Sequence, residues 1–168
     1  SADRIALIIC DVWDRHWCRG AERRLEAMIP RMRAVVNAAR ELGVHVVHAP
    51  SETMAYYRGR AARERVLACP RVSPPKAELR DDIPLPIDDS DEGCDTPETE
   101  PETVWRHQHF GIPIDDEHDV ISDSGVEIYS YLQAKDVDQV LIMGVHTNMC
   151  VLHRYFGIKQ WVGWGVPV

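Results

Sequence analysis

Cys150 and Asp11 are the residues whose type and setting suit nucleophilic chemistry. Residues 140–151 read Val-Leu-Ile-Met-Gly-Val-His-Thr-Asn-Met-Cys-Val: an apolar run ends in Gly144, a short turn follows, and a helical pattern begins with Cys150 in its first turn. A strand, a tight loop and a helix N-terminus would set the thiol where backbone N–H groups and the helix dipole favour an anion. A small buried cysteine is the competing reading, since free cysteine is often fully buried. Asp11 follows the apolar run of residues 5–10, Ile-Ala-Leu-Ile-Ile-Cys. In an open α/β sheet the carboxyl ends of the strands face the ligand crevice, so Asp11 falls where chemistry is done. A loop or N-cap aspartate is the alternative there.

The elements that must position these two residues are α/β in pattern. The run over 5–10 is continuously apolar, as a strand buried on both faces of a parallel sheet requires. Leu25, Met28, Ile29, Met32, Val35, Val36, Ala39 and Leu42 then recur at steps of three and four, which predicts a long amphipathic helical region. Pro30 opens a second helical segment in this reading and Gly43 closes it. Residues 44–49 form the second strand, completing a right-handed crossover. His48, at its carboxyl end, reads as a partly buried histidine with a hydrogen-bond partner rather than as a metal ligand. A short strand over 119–121, a helix opened by the capping-box pattern Ser124-Gly-Val-Glu127 and a strand over 139–143 lead back to Cys150. Leu152, Tyr155, Phe156 and Ile158 are expected to continue one helix after it, with residues 166–168 beginning a further strand.

Between these halves, residues 54–116 read as an insertion within one domain spanning 1–168. Residues 56–68 suggest a surface helix, and 69–87 are proline-rich and extended. Residues 81–102 carry ten Asp or Glu and no Lys or Arg, so the net charge of −8 is concentrated there and the remainder is nearly neutral. Asp89, Asp91, Gly93 and Asp95 superficially resemble a calcium loop, but the glycine is misplaced and no Glu closes it, so a solvated loop is expected. Residues 105–110, Trp-Arg-His-Gln-His-Phe, suit a lid or an oligomer contact, and His107 and His109 are not expected to act as a two-histidine chelate.

Composition excludes several classes. A nucleic-acid surface needs a basic patch to displace counterions, and none is present. No apolar run approaches transmembrane length. The five cysteines are odd in number and lack paired spacing, so a disulfide framework and a structural zinc site are not expected, and a cytoplasmic, reducing location is.

Residues 7–14, Leu-Ile-Ile-Cys-Asp-Val-Trp-Asp, and 141–151, Leu-Ile-Met-Gly-Val-His-Thr-Asn-Met-Cys-Val, resemble the two motifs of the isochorismatase-like cysteine hydrolases, the superfamily of nicotinamidases, N-carbamoyl amidohydrolases and isochorismate hydrolases. The resemblance covers most of residues 4–50 and 117–168. It implies a three-layer αβα, Rossmann-like, mostly parallel sheet. It also implies hydrolysis of a small amide, carbamoyl or vinyl-ether substrate without metal or cofactor. In that reading Cys150 is the nucleophile, Asp11 the acid/base, and the N–H groups of His146 and Cys150 the oxyanion hole, aimed by a cis peptide between Val145 and His146. Trp13, His16, Trp17, Thr147 and Asn148 form the substrate pocket.

The chain departs from the family in three respects. The family lysine at the end of the strand before the capping-box helix is replaced by Ser122 or Asp123, and Arg15, His16, Lys76 and Arg106 are candidates for a substitute cation. An inactive member binding a small molecule or protein partner is therefore the alternative to a hydrolase. The nicotinamidase metal motif is absent from residues 48–52, which argues against nicotinamide. Finally, the family adds a strand and helix after the nucleophile, whereas residues 151–168 leave little length for both, so a homo-oligomer partner or the acidic insertion is expected to cover the sheet edge.

Overall fold

A computed structural model describes residues 1–77, 94–96 and 103–168. Apart from Asp95, the expected acidic loop and its calcium-like pattern lie outside the described residues. Four strands, β1 (Ile5–Cys10), β2 (His45–Ala49), β3 (Val120–Ile121) and β4 (Gln139–Gly144), form one all-parallel sheet in the order β3-β2-β1-β4. Helices α1 (Arg19–Glu41), α2 (Ala61–Leu67), α3 (Gly125–Ala134), α4 (Cys150–His153) and α5 (Ile158–Gly163) flank it. The chain is α/β, as its alternation of apolar runs and amphipathic stretches predicts.

Because side chains alternate along a strand, β1 serves two cores. Leu7 and Ile9 pack with Leu25, Ile29, Met32 and Val36 of α1. Ala6, Ile8 and Cys10 pack with Ile128, Leu132 and Trp161 of α3 and α5. Registers of Leu7 with Val46 of β2 and with Leu141 of β4 bring the carboxyl ends of all three strands together, and with them Asp11 and the turn before Cys150.

Several elements differ from the sequence expectation. α1 is one helix with Pro30 inside it, not two segments. Proline removes one backbone donor there, on the exposed side of the helix, while Ile29 and Met32 on either side are buried and hold the axis against β1 and β2. Gly43, at φ 81°, ends α1 as expected: its N–H reaches Arg40 O at 2.9 Å and the next N–H, of Val44, reaches Ala39 O at 2.9 Å, the paired bonds of a left-handed C-cap. Residues 56–68 hold only a 3-10 turn at Met54–Tyr57 and the short α2, whose Ala62 and Val66 are buried. The Ser124 hydroxyl accepts from the Glu127 N–H at 3.4 Å, so half of the capping box forms. The Glu127 carboxylate turns instead to Ser122 Oγ and to Arg63, each at 2.5 Å.

The helix expected after Cys150 breaks into α4 and α5. Arg154 is extended, with ψ 158°, and the Gly157 N–H closes the turn on Arg154 O at 2.7 Å. A Cβ at Gly157 would lie 2.9 Å from both Arg154 N and Val151 O, so the turn is built for glycine. Residues 166–168 run beside β4, with the Val140 N–H donating to Pro167 O at 2.9 Å, but they form no strand.

The absence of disulfides expected from cysteine spacing is overturned. Cys18 and Cys94 are bonded across 76 residues, their Cα atoms 5.6 Å apart. Spacing could not reveal a pair joined through the long insertion, and the thiol-based argument for a reducing compartment falls away. No helix is long and apolar enough to cross a membrane among the described residues.

Candidate active site

Asp11 follows the last residue of β1 and is fully buried. Its backbone is left-handed, φ 51°, a conformation that costs about 1 kcal/mol or more and that Asp tolerates better than most residues. Its N–H donates to Ala49 O at 3.1 Å, and the turn aims the carboxylate back over the strand ends. Oδ1 accepts the Ser51 N–H at 2.8 Å, and Oδ2 accepts the Arg154 Nε–H at 2.8 Å.

Across the β1–β4 seam, Gly144 is required because any Cβ would collide with the carbonyl oxygen and Cβ of Cys10. The Val145–His146 peptide that follows is cis, the geometry the motif resemblance implied. The turn then delivers Cys150, whose thiol is influenced by the Asp11 carboxylate and by the His146 backbone N–H. Burial pushes this thiol up to about 11, and the Asp11 charge adds to the rise; the Arg154 charge and the His146 N–H pull the other way. Cys150 is therefore a thiol at neutral pH. The helix dipole expected to favour the thiolate is small, because α4 has only four residues. The Cys150 N–H donates to no backbone carbonyl outside α4 among the described residues, which leaves it free to serve a ligand.

Arg154 is the functional residue that the sequence reading missed. It lies four residues after Cys150, its side chain 29% exposed, and places its guanidinium between the buried carboxylate and the face of Trp13, 5.8 Å from the ring centre. Burial opposes its charge, but Asp11 more than compensates and holds the guanidinium protonated. A spacing of four from Cys150 was the available signal. The expected lysine position lies elsewhere: Ser122 is buried and bonded to Glu127 and to the Ser124 N–H, and Asp123 accepts the Glu52 N–H at 2.9 Å. Neither bonds to Asp11 or Cys150 among the described residues. Of the other candidate cations, Arg15 lies on the cleft rim, Lys76 is exposed, and Arg106 is exposed with its backbone N–H on Asp14 at 2.8 Å.

A cleft of about 440 Å³ opens beside these groups, lined by Asp11, Trp13, His16, Arg24, His146 and Thr147 among others. Cys150 is half-buried behind Asp11 and His146 and does not line it. The cleft wall is aromatic. Trp13 and Trp105 stack in parallel at 3.9 Å, and the Trp13 indole N–H donates to Ser51 O at 3.1 Å. His16 meets His146 edge-on at 5.1 Å and stacks on Trp17 at 5.4 Å. Burial, reinforced by the neighbouring His146, lowers His16 to about 4, so its ring is neutral at physiological pH. Burial, and then the charge of Arg24, also lowers His146. Trp17 touches the cleft only through His16, and Asn148 sits half-buried in the turn outside the lining.

The segment around 105–110 reaches the site from the insertion. Trp13 and Gln108 form an isolated antiparallel bridge, with the His109 N–H on Val12 O at 2.8 Å and the Asp14 N–H on His107 O at 2.9 Å. Its His109 lines the cleft. His48 is buried with two partners, Gln108 Oε1 at 2.9 Å and Asp119 Oδ2 at 2.8 Å, as a structural histidine should be. No group of three or more His, Cys, Asp or Glu is placed to hold a metal among the described residues. No family model matches the chain, and no curated protein matches it.

Proposed function

We propose that this protein is a cysteine hydrolase of the isochorismatase-like type, on a three-layer Rossmann-like scaffold, cleaving a small amide, carbamoyl or vinyl-ether substrate. The observation that carries this reading is the Cys150–Asp11–Arg154 constellation, in which a cation occupies the charge-balancing role left open by Ser122 and Asp123.

For an amide, Asp11 takes the proton from Cys150 Sγ as the sulfur attacks the carbonyl carbon. The oxyanion that forms is held by the N–H groups of His146 and Cys150; a preorganised donor pair of this kind is worth roughly 3 kcal/mol in the transition state. Asp11 returns the proton to the leaving nitrogen as the C–N bond breaks, leaving a thioester on Cys150. It then takes a proton from water, whose oxygen attacks the thioester carbonyl; the acid leaves and the thiol is restored. Arg154 offsets the repulsion between the carboxylate and the developing thiolate. Trp13, backed by the stacked Trp105, and His16 offer flat faces to the cleft that suit a flat substrate whose reacting carbon lies toward His146.

The test is turnover across a panel of small amides, carbamoyl amino acids and vinyl ethers. Cys150→Ala and Asp11→Asn are each expected to abolish a measured activity, and retained turnover in Cys150→Ala refutes the reading. One observation favours binding without turnover, the thiol pushed up to about 11. That alternative requires a ligand that stabilises wild type and Cys150→Ala alike, with no substrate consumed.

A further inference from the structure

The only described part of the acidic stretch is the triplet of residues 94–96, and it is seated on the N-terminus of α1. Three contacts of different kinds hold it there. Cys94 is disulfide-bonded to Cys18, the N-cap residue of α1. Cys18 supplies no side-chain cap of its own, and the Thr96 hydroxyl accepts the Gly20 N–H at 3.2 Å in its place. Asp95 pairs with Arg24 at 2.7 Å. Gly20 makes room for the seat: a Cβ there would collide with Asp95 Oδ1 and come within 3.2 Å of Thr96 Cγ2. The first turns of α1 that receive this triplet also form one side of the cleft, through Ala21, Glu22, Arg24 and Leu25.

We propose that the Cys18–Cys94 disulfide is a reducible site for a dithiol, and that it clamps a helix cap borrowed from the insertion onto the cleft-lining end of α1. Cys18 is fully buried and Cys94 is half-buried, so the incoming thiolate attacks Cys94 Sγ. The S–S bond breaks and Cys18 leaves as a thiolate at the N-cap of a 23-residue helix, where the backbone N–H groups stabilise it. The second thiol of the dithiol attacks the mixed disulfide and releases Cys94. The dithiol ends as a disulfide, and its two protons end on Cys18 and Cys94. Once the covalent tie is gone, the described contacts left at the seat are non-covalent: the Thr96–Gly20 hydrogen bond, the exposed Asp95–Arg24 ion pair and long contacts of Cys18 Sγ to Thr96 and Asp95. Reduction therefore frees Gly20 N–H from its cap and Arg24 from its carboxylate, making the cleft looser and more cationic.

The experiment uses the full chain and needs no substrate, so it stands or falls separately from the hydrolase reading. Alkylation in denaturant without reductant, read by intact mass, is expected to give three adducts, and five after dithiothreitol, from five cysteines of which two are bonded. Hydrogen exchange is then followed with and without dithiothreitol. Amides of residues 20–24 are expected to exchange about fivefold faster once the cap is released. Those of β1 and α3 should be unchanged. Thr96→Val, which removes the cap and keeps both cysteines, is expected to produce the same acceleration under oxidising conditions. Five adducts in the air-oxidised chain, or no change over residues 20–24 on reduction, overturns the proposal.

Discussion

In the proposed reaction Arg154 is the charge that matters most at Cys150, because a thiolate and the Asp11 carboxylate repel each other without it. Replacing it by Met should cost about a hundredfold in kcat/KM for any substrate found, with Arg154→Lys recovering part of that loss. It should also destabilise the fold by roughly 3 kcal/mol, since Asp11 is fully buried and loses its counterion. The pH dependence of alkylation is a second readout. Cys150 thiolate should appear only as the pH approaches about 11, and Arg154→Met should move that midpoint higher still, because a cation favouring the anion has been removed. Site-resolved iodoacetamide labelling between pH 7 and 11 measures both. A half-buried thiol pushed up this far labels slowly at neutral pH. Asp11 was legible because it closes an apolar run at a strand end, and Cys150 because it opens a helical pattern across a short turn from another. Arg154 was not, because the search for a cation followed the family position at Ser122 and Asp123, and a four-residue spacing is common on any helix.

At the scale of elements, the site depends on two close approaches that permit no side chain. Gly144→Ala would drive a methyl into the Cys10 carbonyl where β4 meets β1, and should cost about 1–3 kcal/mol in denaturant unfolding together with loss of activity. Gly157, in the turn between α4 and α5, sets where Arg154 leaves the helix. Strands β1, β2 and β4 were legible from continuous apolar runs, and α1 from its three-and-four spacing. The break after His153 was not: Leu152, Phe156 and Ile158 keep a helical spacing across it, so periodicity alone reads straight through the turn. Pro30 gave the opposite error. A proline is a strong local signal for a boundary, yet packing of Ile29 and Met32 against the sheet keeps α1 continuous.

At the scale of the whole molecule, the insertion is tied to β2 by the buried Gln108–His48 bond and to the N-cap of α1 by the Cys18–Cys94 disulfide, and a second buried polar group joins the sheet to α1. Asp119, just before β3, receives His48 from β2 at 2.8 Å and Arg40 from α1 at 2.5 and 3.2 Å. Burial alone would raise its pKa; hydrogen bonds from His48 and then Arg40 outweigh that and hold it at about 2, against 3.8 for a free side chain. The folded value is the lower one, so the resulting stability, about 2 kcal/mol, is fully present above pH 3.8 and is lost as pH falls toward 2. Denaturant unfolding at pH 5 and pH 2 should show that loss, and Asp119→Asn should flatten the pH dependence across the same window. None of these long-range ties was legible, because His48, Gln108 and Asp119, like Cys18 and Cys94, are far apart in sequence and carry no local pattern.

The central claim is that Cys150 forms a covalent bond to its substrate, and acid-quenched intact mass during turnover tests it most directly. An acyl adduct on the peptide carrying Cys150, absent from Cys150→Ala and released by hydroxylamine as a thioester should be, is the predicted result. Turnover of a panel substrate with no adduct in the burst phase, and undiminished in Cys150→Ala, would contradict it.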